Sequence, residues 1–168
     1  FNRATQSLRS PGSTFKVFVY AAALNQGLKP WDIVEDKRMC WEEYCPKNFA
    51  DTYFGKVSIL DSFKYSLNTI AVDLLDQIGF EKVISIANSL GVGNERKLEK
   101  YYPLAIGAFE ETVLNMTAAY AGIANLGIYI KPTPFEEIRG PNNEIIWSHK
   151  LNGDKGTKVL NYKVANTL

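Results

Sequence analysis

Arg9-Ser10-Pro11-Gly12-Ser13-Thr14-Phe15-Lys16-Val17-Phe18-Val19-Tyr20 is the stretch on which the fold turns. Pro11-Gly12 breaks the chain. From Thr14 to Gln26 the apolar residues Phe15, Phe18, Val19 and Ala22 then recur at helical spacing, and Gly27 provides a C-terminal stop. The pattern predicts a helix over 14–26. At its start Ser13 and Lys16 stand three positions apart, so a hydroxyl and an amine share one helix face. A serine hydroxyl is a poor nucleophile until a base removes its proton, and a lysine acts as that base only if it is neutral part of the time. Bringing a lysine pKa from about 10.4 to near 7 costs roughly 4 to 5 kcal/mol, a penalty that a desolvated site imposes. Phe15, Val17 and Phe18 can supply the apolar walls. The Ser13 amide points out of the helix N-terminus, where the dipole favours a developing oxyanion. Taken alone, Ser-x-x-Lys is a short pattern that also arises by chance, and a serine at a helix start is commonly just a cap.

Outward from this segment, helical periodicity dominates and glycine punctuates it. A short helix is predicted over 58–65, with Ser58 as cap, Asp61 three positions on, and Ile59, Leu60 and Phe63 facing inward. Another runs from about Thr69 to Ile78 and stops at Gly79; a fourth uses Val83, Ile84, Ala87 and Leu90 and stops at Gly91. A fifth begins at the cap Thr112, carries Val113, Met116, Ala121 and Ala124, and ends by Gly127. Residues 29–57 read as one long irregular stretch rich in aromatics, too aromatic to be disordered. Phe135–Arg139 and Glu144–Ser148 read as a hairpin about Gly140-Pro141-Asn142-Asn143, and a last helix begins at Asn161.

Composition narrows the chemistry. The 168 residues are 46% apolar and 22% charged with a net charge of +1, values of a globular chain. The cationic run Arg96, Lys97, Lys100 is interrupted by Glu95 and Glu99, so no basic face for nucleic acid is present. The longest apolar run, Val17 to Leu24, is far short of the roughly 20 residues that a membrane-spanning helix needs. One histidine and two cysteines cannot furnish a zinc site, and no metal or cofactor is expected. Chemistry must come from hydroxyls, amines, amides and carboxylates. The opening Phe1-Asn2-Arg3 and the unfinished last helix are those expected of a piece of a longer chain.

The longer string Arg3-Ala4-Thr5-Gln6, Arg9 through Tyr20, and then Ser66-Leu67-Asn68 closely resembles the transpeptidase domain of class A (bifunctional) penicillin-binding proteins, in which Ser-x-x-Lys is followed by Ser-x-Asn. The resemblance extends over nearly the whole chain. It includes Tyr44-Cys45-Pro46-Lys47-Asn48, Tyr102 through Ala108 with Glu110 and Thr112, Ala118 through Ala121, and Asn125 through Tyr129. It implies an α+β fold of the penicillin-binding protein and serine β-lactamase type, of which residues 1–168 form the mainly helical part, with most of the central antiparallel sheet missing from the chain. It makes Ser13 the acylated nucleophile and Lys16 its base, with Ser66 relaying a proton to the leaving amine and Asn68 holding the amide carbonyl of the bound peptide.

The partners so implied are peptidoglycan stem peptides and β-lactam antibiotics, at the extracytoplasmic face of the bacterial inner membrane. A glycosyltransferase domain and a membrane anchor are expected upstream. A penicillin-sensing domain and a serine β-lactamase are alternatives, which differ from a transpeptidase chiefly in deacylation. Two departures stand out. Val17 replaces the proline common after the lysine, with little effect expected. No Lys-Thr-Gly occurs, Lys155-Gly156-Thr157 having the wrong order, so the isolated chain is expected to be inactive.

The family's location permits a bridge between Cys40 and Cys45, while spacing leaves bridge and free thiols both open. The aromatics of residues 41–54 are read mainly as packing on the core, with a groove floor as the alternative. Glu110 and Glu111 are read as acids favoured at a helix start, and His149 as a surface residue.

Overall fold

The computed structural model describes residues 1–168. The Ser13 stretch forms a 3-10 turn over Gly12–Phe15, followed without a break by helix α1, Lys16–Asn25. Every residue from Lys16 to Ala23 is buried, so α1 is the central rod of the core rather than a helix with one wet face. Ala21, Ala22 and Ala23 leave room for its neighbours, α3 (Asn68–Ile78) and α4 (Phe80–Ser89), to pack against it.

Helix α2 (Ile59–Lys64) is capped as its sequence predicts, Ser58 Oγ accepting from Asp61 N at 3.0 Å. Its inward face differs: Ile59 and Ser62 are buried, while Leu60 is exposed. Ser62 Oγ donates to Ile59 O at 2.7 Å, which leaves Tyr20 Oη to donate to Ser62 across 3.0 Å. This buried bond fixes α2 on α1. Helix α5 (Val113–Ala124) starts at its predicted cap, Thr112, but buries the stripe Ala118, Ala119, Gly122 and Ile123; Val113, Ala121 and Ala124 face outward. The small residues form the packed face because Leu90 and Tyr129 approach Gly122 closely. Short helices α6 (His149–Asn152) and α7 (Tyr162–Ala165) follow, α7 capped by Asn161.

Residues 29–57 are less irregular than periodicity predicts. Strands β1 (Ile33–Asp36) and β2 (Gly55–Ser58) pair antiparallel, with Asp36 opposite Gly55. Their alternation is inverted in chemistry: Ile33 is exposed and Asp36 is buried, so no hydrophobic pattern announces the strand. Two further antiparallel pairs join β3 (Ile128–Tyr129) to β6 (Thr157–Lys158) and β4 (Glu137–Arg139) to β5 (Ile145–Ser148). The last is the predicted hairpin. Thr157, the last residue of the Lys155-Gly156-Thr157 run, lies in strand β6. The three ladders stay separate, so the molecule is the helix-rich part of an α+β fold.

Candidate active site

Ser13 sits in the 3-10 turn, exposed, with neither its Oγ nor its backbone N–H engaged in a hydrogen bond. The turn is pinned from three sides. Gly107, in the left-handed region at φ +75°, packs against the Gly12 backbone so tightly that a Cβ there would collide with Gly12 O and N. The Gly107 carbonyl accepts from Ser10 Oγ at 2.7 Å and from Gly12 N at 3.4 Å. Tyr120 Oη donates to Thr14 O at 2.8 Å, and Phe15 is buried between Phe18 and Phe109 at ring distances of 5.0 Å.

Lys16, the first residue of α1, is only 1% exposed. Its ammonium donates to Ser66 O at 2.6 Å, to Ser66 Oγ at 3.0 Å and to Asn68 Oδ1 at 2.5 Å. The acceptors are a carbonyl, a hydroxyl and an amide. No carboxylate lies among them, and the five ion pairs of the molecule all lie at its surface. Burial without a counter-ion disfavours the charged form and lowers the Lys16 pKa to about 8. About one molecule in ten then carries a neutral amine at pH 7, against fewer than about one in a thousand for an ordinary lysine. The ammonium is bonded to Ser66 and Asn68 and not to Ser13. The structure thus brings together three of the four predicted residues, with Ser13 on the adjoining turn.

Ser66 closes α2. Its φ is +55°, with Ser66 N bonded to Phe63 O and Leu67 N to Ser62 O, each at 3.0 Å; this is the glycine-favouring C-terminal motif with a serine in the left-handed position. Asn68 opens α3 without acting as its cap; its amide spans Lys16 on one side and Lys47 O, at 2.7 Å, on the other. Of the residues that sequence reasoning set aside, Glu111 is buried and accepts from Gly93 N, Thr112 N and Asn115 Nδ2 at 2.7 to 2.9 Å, while its backbone pairs with Arg9 ahead of the Ser13 turn. It is a clamp, whereas Glu110 makes an exposed pair with Arg96. His149 is half-buried with its Nδ1 unpartnered, and so is no simple surface residue.

Cys40 and Cys45 are bridged, closing a loop that sets Trp41 and Tyr44 beside Tyr101, Tyr102 and Phe80 around a cleft of about 420 Å³. Trp41 and Tyr44 pack on the core, as the mainly structural reading holds, while Phe49 is almost wholly exposed. Neither Ser13 nor Lys16 lines this cleft.

The model of the penicillin binding protein transpeptidase domain matches residues 1–166, and the chain belongs to that family. Penicillin-binding protein 1A of Aquifex aeolicus is 37% identical over 152 residues, which are 87% of this chain and 20% of the relative. Penicillin-binding protein 1A of Rickettsia prowazekii is 37% identical over 153 residues, 88% of this chain and 19% of the relative. The chain thus spans about a fifth of the length of these relatives. Among solved structures, Penicillin-Binding Protein 1A from Haemophilus influenzae superposes with a TM-score of 0.85 at 25% identity, covering 98% of this chain and 29% of that one. The fold is also that of PonA1 from Mycobacterium tuberculosis in complex with penicillin V, with a TM-score of 0.88 at 23% identity over 99% of this chain and 46% of that one.

Proposed function

We propose that the chain carries the nucleophile-bearing half of a peptidoglycan DD-transpeptidase, and that β-lactams acylate the same serine. The observation that carries this reading is the buried, carboxylate-free environment of Lys16 beside an exposed Ser13. Neutral Lys16 takes the Ser13 hydroxyl proton as Oγ attacks the penultimate D-Ala carbonyl of a stem peptide. The free Ser13 N–H faces the oxyanion that forms. Ser66, bonded to Lys16, passes that proton to the departing D-Ala amine as the peptide C–N bond breaks. Asn68 orients the stem through its amide. The acyl group then moves to an amine of a neighbouring stem, freeing Ser13.

In this reading the full-length protein also carries a glycosyltransferase domain and a membrane anchor ahead of the chain, as a class A enzyme does, and works on the extracytoplasmic face of the inner membrane. The relatives' much greater length leaves room for both. The Cys40–Cys45 bridge suits an oxidising compartment. No helix here is long and apolar enough to cross a membrane. The test supplies the full-length protein with a D-Ala-D-Ala stem and an acceptor amine and follows D-Ala release, cross-linked product and the lifetime of a penicilloyl adduct. Cross-linking together with an adduct that lasts hours is the expected result. An adduct hydrolysed within seconds would identify a hydrolase, and a lasting adduct with no D-Ala release a sensor.

A further inference from the structure

Helix α3 has a termination problem that its own sequence does not solve. Its N-cap residue is Leu67, which is buried in the core and has no acceptor for the first N–H groups of the helix. The cap comes from 20 residues away: Asn48 Oδ1 accepts from Asn68 N at 2.8 Å and from Thr69 N at 3.3 Å. Asn48 could present either end of its amide to those donors. Its orientation is decided by Nδ2, which donates to Asp36 Oδ1 at 2.8 Å and to Thr52 O at 3.2 Å.

Behind Asn48 lies Asp36, a carboxylate 1% exposed and bound by neutral donors only. Oδ1 receives Asn48 Nδ2 and the Thr69 hydroxyl, and Oδ2 receives Phe54 N at 2.9 Å. Both oxygens accept here, and an asparagine would turn an NH2 toward an N–H or O–H donor. Burying such an anion without a cation is costly, and an ordinary cap residue at position 67 would serve the helix alone at less expense. What the arrangement adds is a fixed position for Asn68. The residue whose N–H is held by Asn48 is the residue whose Oδ1 meets the Lys16 ammonium at 2.5 Å, two positions from the carbonyl and hydroxyl of Ser66.

We propose that Asp36, Asn48 and Thr69 are positioning residues for acylation: a buried polar relay that sets the Ser66–Asn68 loop against Lys16. This inference rests on the transpeptidase reading above. None of the three is hydrogen-bonded to Lys16. They act through the start of α3, so that a displacement of about 1 Å there moves the Asn68 amide off the amine.

The test is pre-steady-state acylation of the full-length protein by benzylpenicillin, separating the initial dissociation constant from the acylation rate constant at saturation. Thr69→Val removes the hydroxyl at nearly constant shape, and Thr69→Ser restores it. The expected result is an acylation constant at least tenfold lower for Thr69→Val, with the initial dissociation constant within threefold of the unaltered protein, and recovery to within threefold for Thr69→Ser. Asn48→Ala is expected to lose about a hundredfold. All variants are measured below their melting transitions, and the Val–Ser comparison stands even where Asn48→Ala does not fold. Acylation of Thr69→Val at the unaltered rate, or a loss that serine does not recover, overturns the relay while leaving the transpeptidase reading intact. No acylation of the unaltered protein overturns that reading and the relay with it.

Discussion

Lys16 Nζ and Ser66 Oγ lie 3.0 Å apart across 50 positions of chain, and Ser66 reaches that place only by adopting a left-handed backbone at φ +55°. For a residue with a Cβ this conformation costs roughly 1 to 2 kcal/mol, where glycine adopts it freely. The end of α2 therefore carries strain at the residue whose hydroxyl meets the amine.

Ser66→Gly is accordingly expected to leave stability unchanged or raise it by up to about 1 kcal/mol, because relief of strain is partly offset by the greater freedom of unfolded glycine. Acylation by penicillin is expected to fall at least tenfold. Urea unfolding and stopped-flow acylation measure the two. A variant destabilised by more than about 1 kcal/mol that still acylates normally would contradict this account of Ser66.

The lowered Lys16 pKa sets a pH dependence. The acylation rate constant per penicillin concentration should climb about tenfold per pH unit below the Lys16 pKa and level off above about 8. Stability follows the opposite proton balance from a salt-bridged lysine. The folded pKa of about 8 lies below the ordinary value of 10.5, so between these the unfolded chain binds more protons and stability rises with pH. Relative to Lys16→Met, the unaltered protein should gain about 3 kcal/mol across that window. Denaturant titrations at pH 7 to 10.5 check it, and parallel curves for the two proteins would be the opposing result.

The parts of this site were unequally legible in the sequence. Ser13 and Lys16 are neighbours on one helical turn, so spacing alone puts them on one face. Ser66 and Asn68 are singled out only by the resemblance; in the structure Ser66 ends α2, while the capping of α3 falls to Asn48. Asp36, Asn48 and Thr69 meet over separations of 12 to 33 residues, and each is locally unremarked. Strand β1 is hidden for a related reason: its one buried position is an aspartate, and an isoleucine is among its exposed ones. Helices α1, α3, α4 and α5, which stop at or near a glycine, agree with the sequence reading to within a few residues, although the inward face of α5 does not, because alanine and glycine carry little hydrophobic signal.

Gly107→Ala places a methyl group against the Gly12 backbone in a left-handed position. A loss of about 1 to 3 kcal/mol is expected from strain and displacement together. Because the group displaced is the turn that presents Ser13, acylation should fall by more than thermal destabilisation explains. Acylation and melting temperature of this variant beside Gly27→Ala, whose Cβ meets nothing, separate the two effects.

The Cys40–Cys45 bridge closes a short loop, for which the chain-entropy estimate gives about 2 kcal/mol. Replacing both cysteines by alanine should cost no more than that and leave Ser13 acylable, since neither cysteine is among the partners of Lys16. Alkylation of the oxidised protein under denaturing, non-reducing conditions should modify neither sulfur. Two alkylated cysteines, or loss of acylation in a folded double variant, would count against this view.

The proposed nucleophile is Ser13, exposed and unbonded beside a buried amine. Its most direct test is to treat the full-length protein with benzylpenicillin and locate the adduct by peptide mass mapping, beside Ser13→Ala of unchanged melting temperature. The expected result is one penicilloyl group on the peptide containing Ser13 and none on the variant; an adduct that persists on Ser13→Ala, or that maps to another residue, would contradict the assignment.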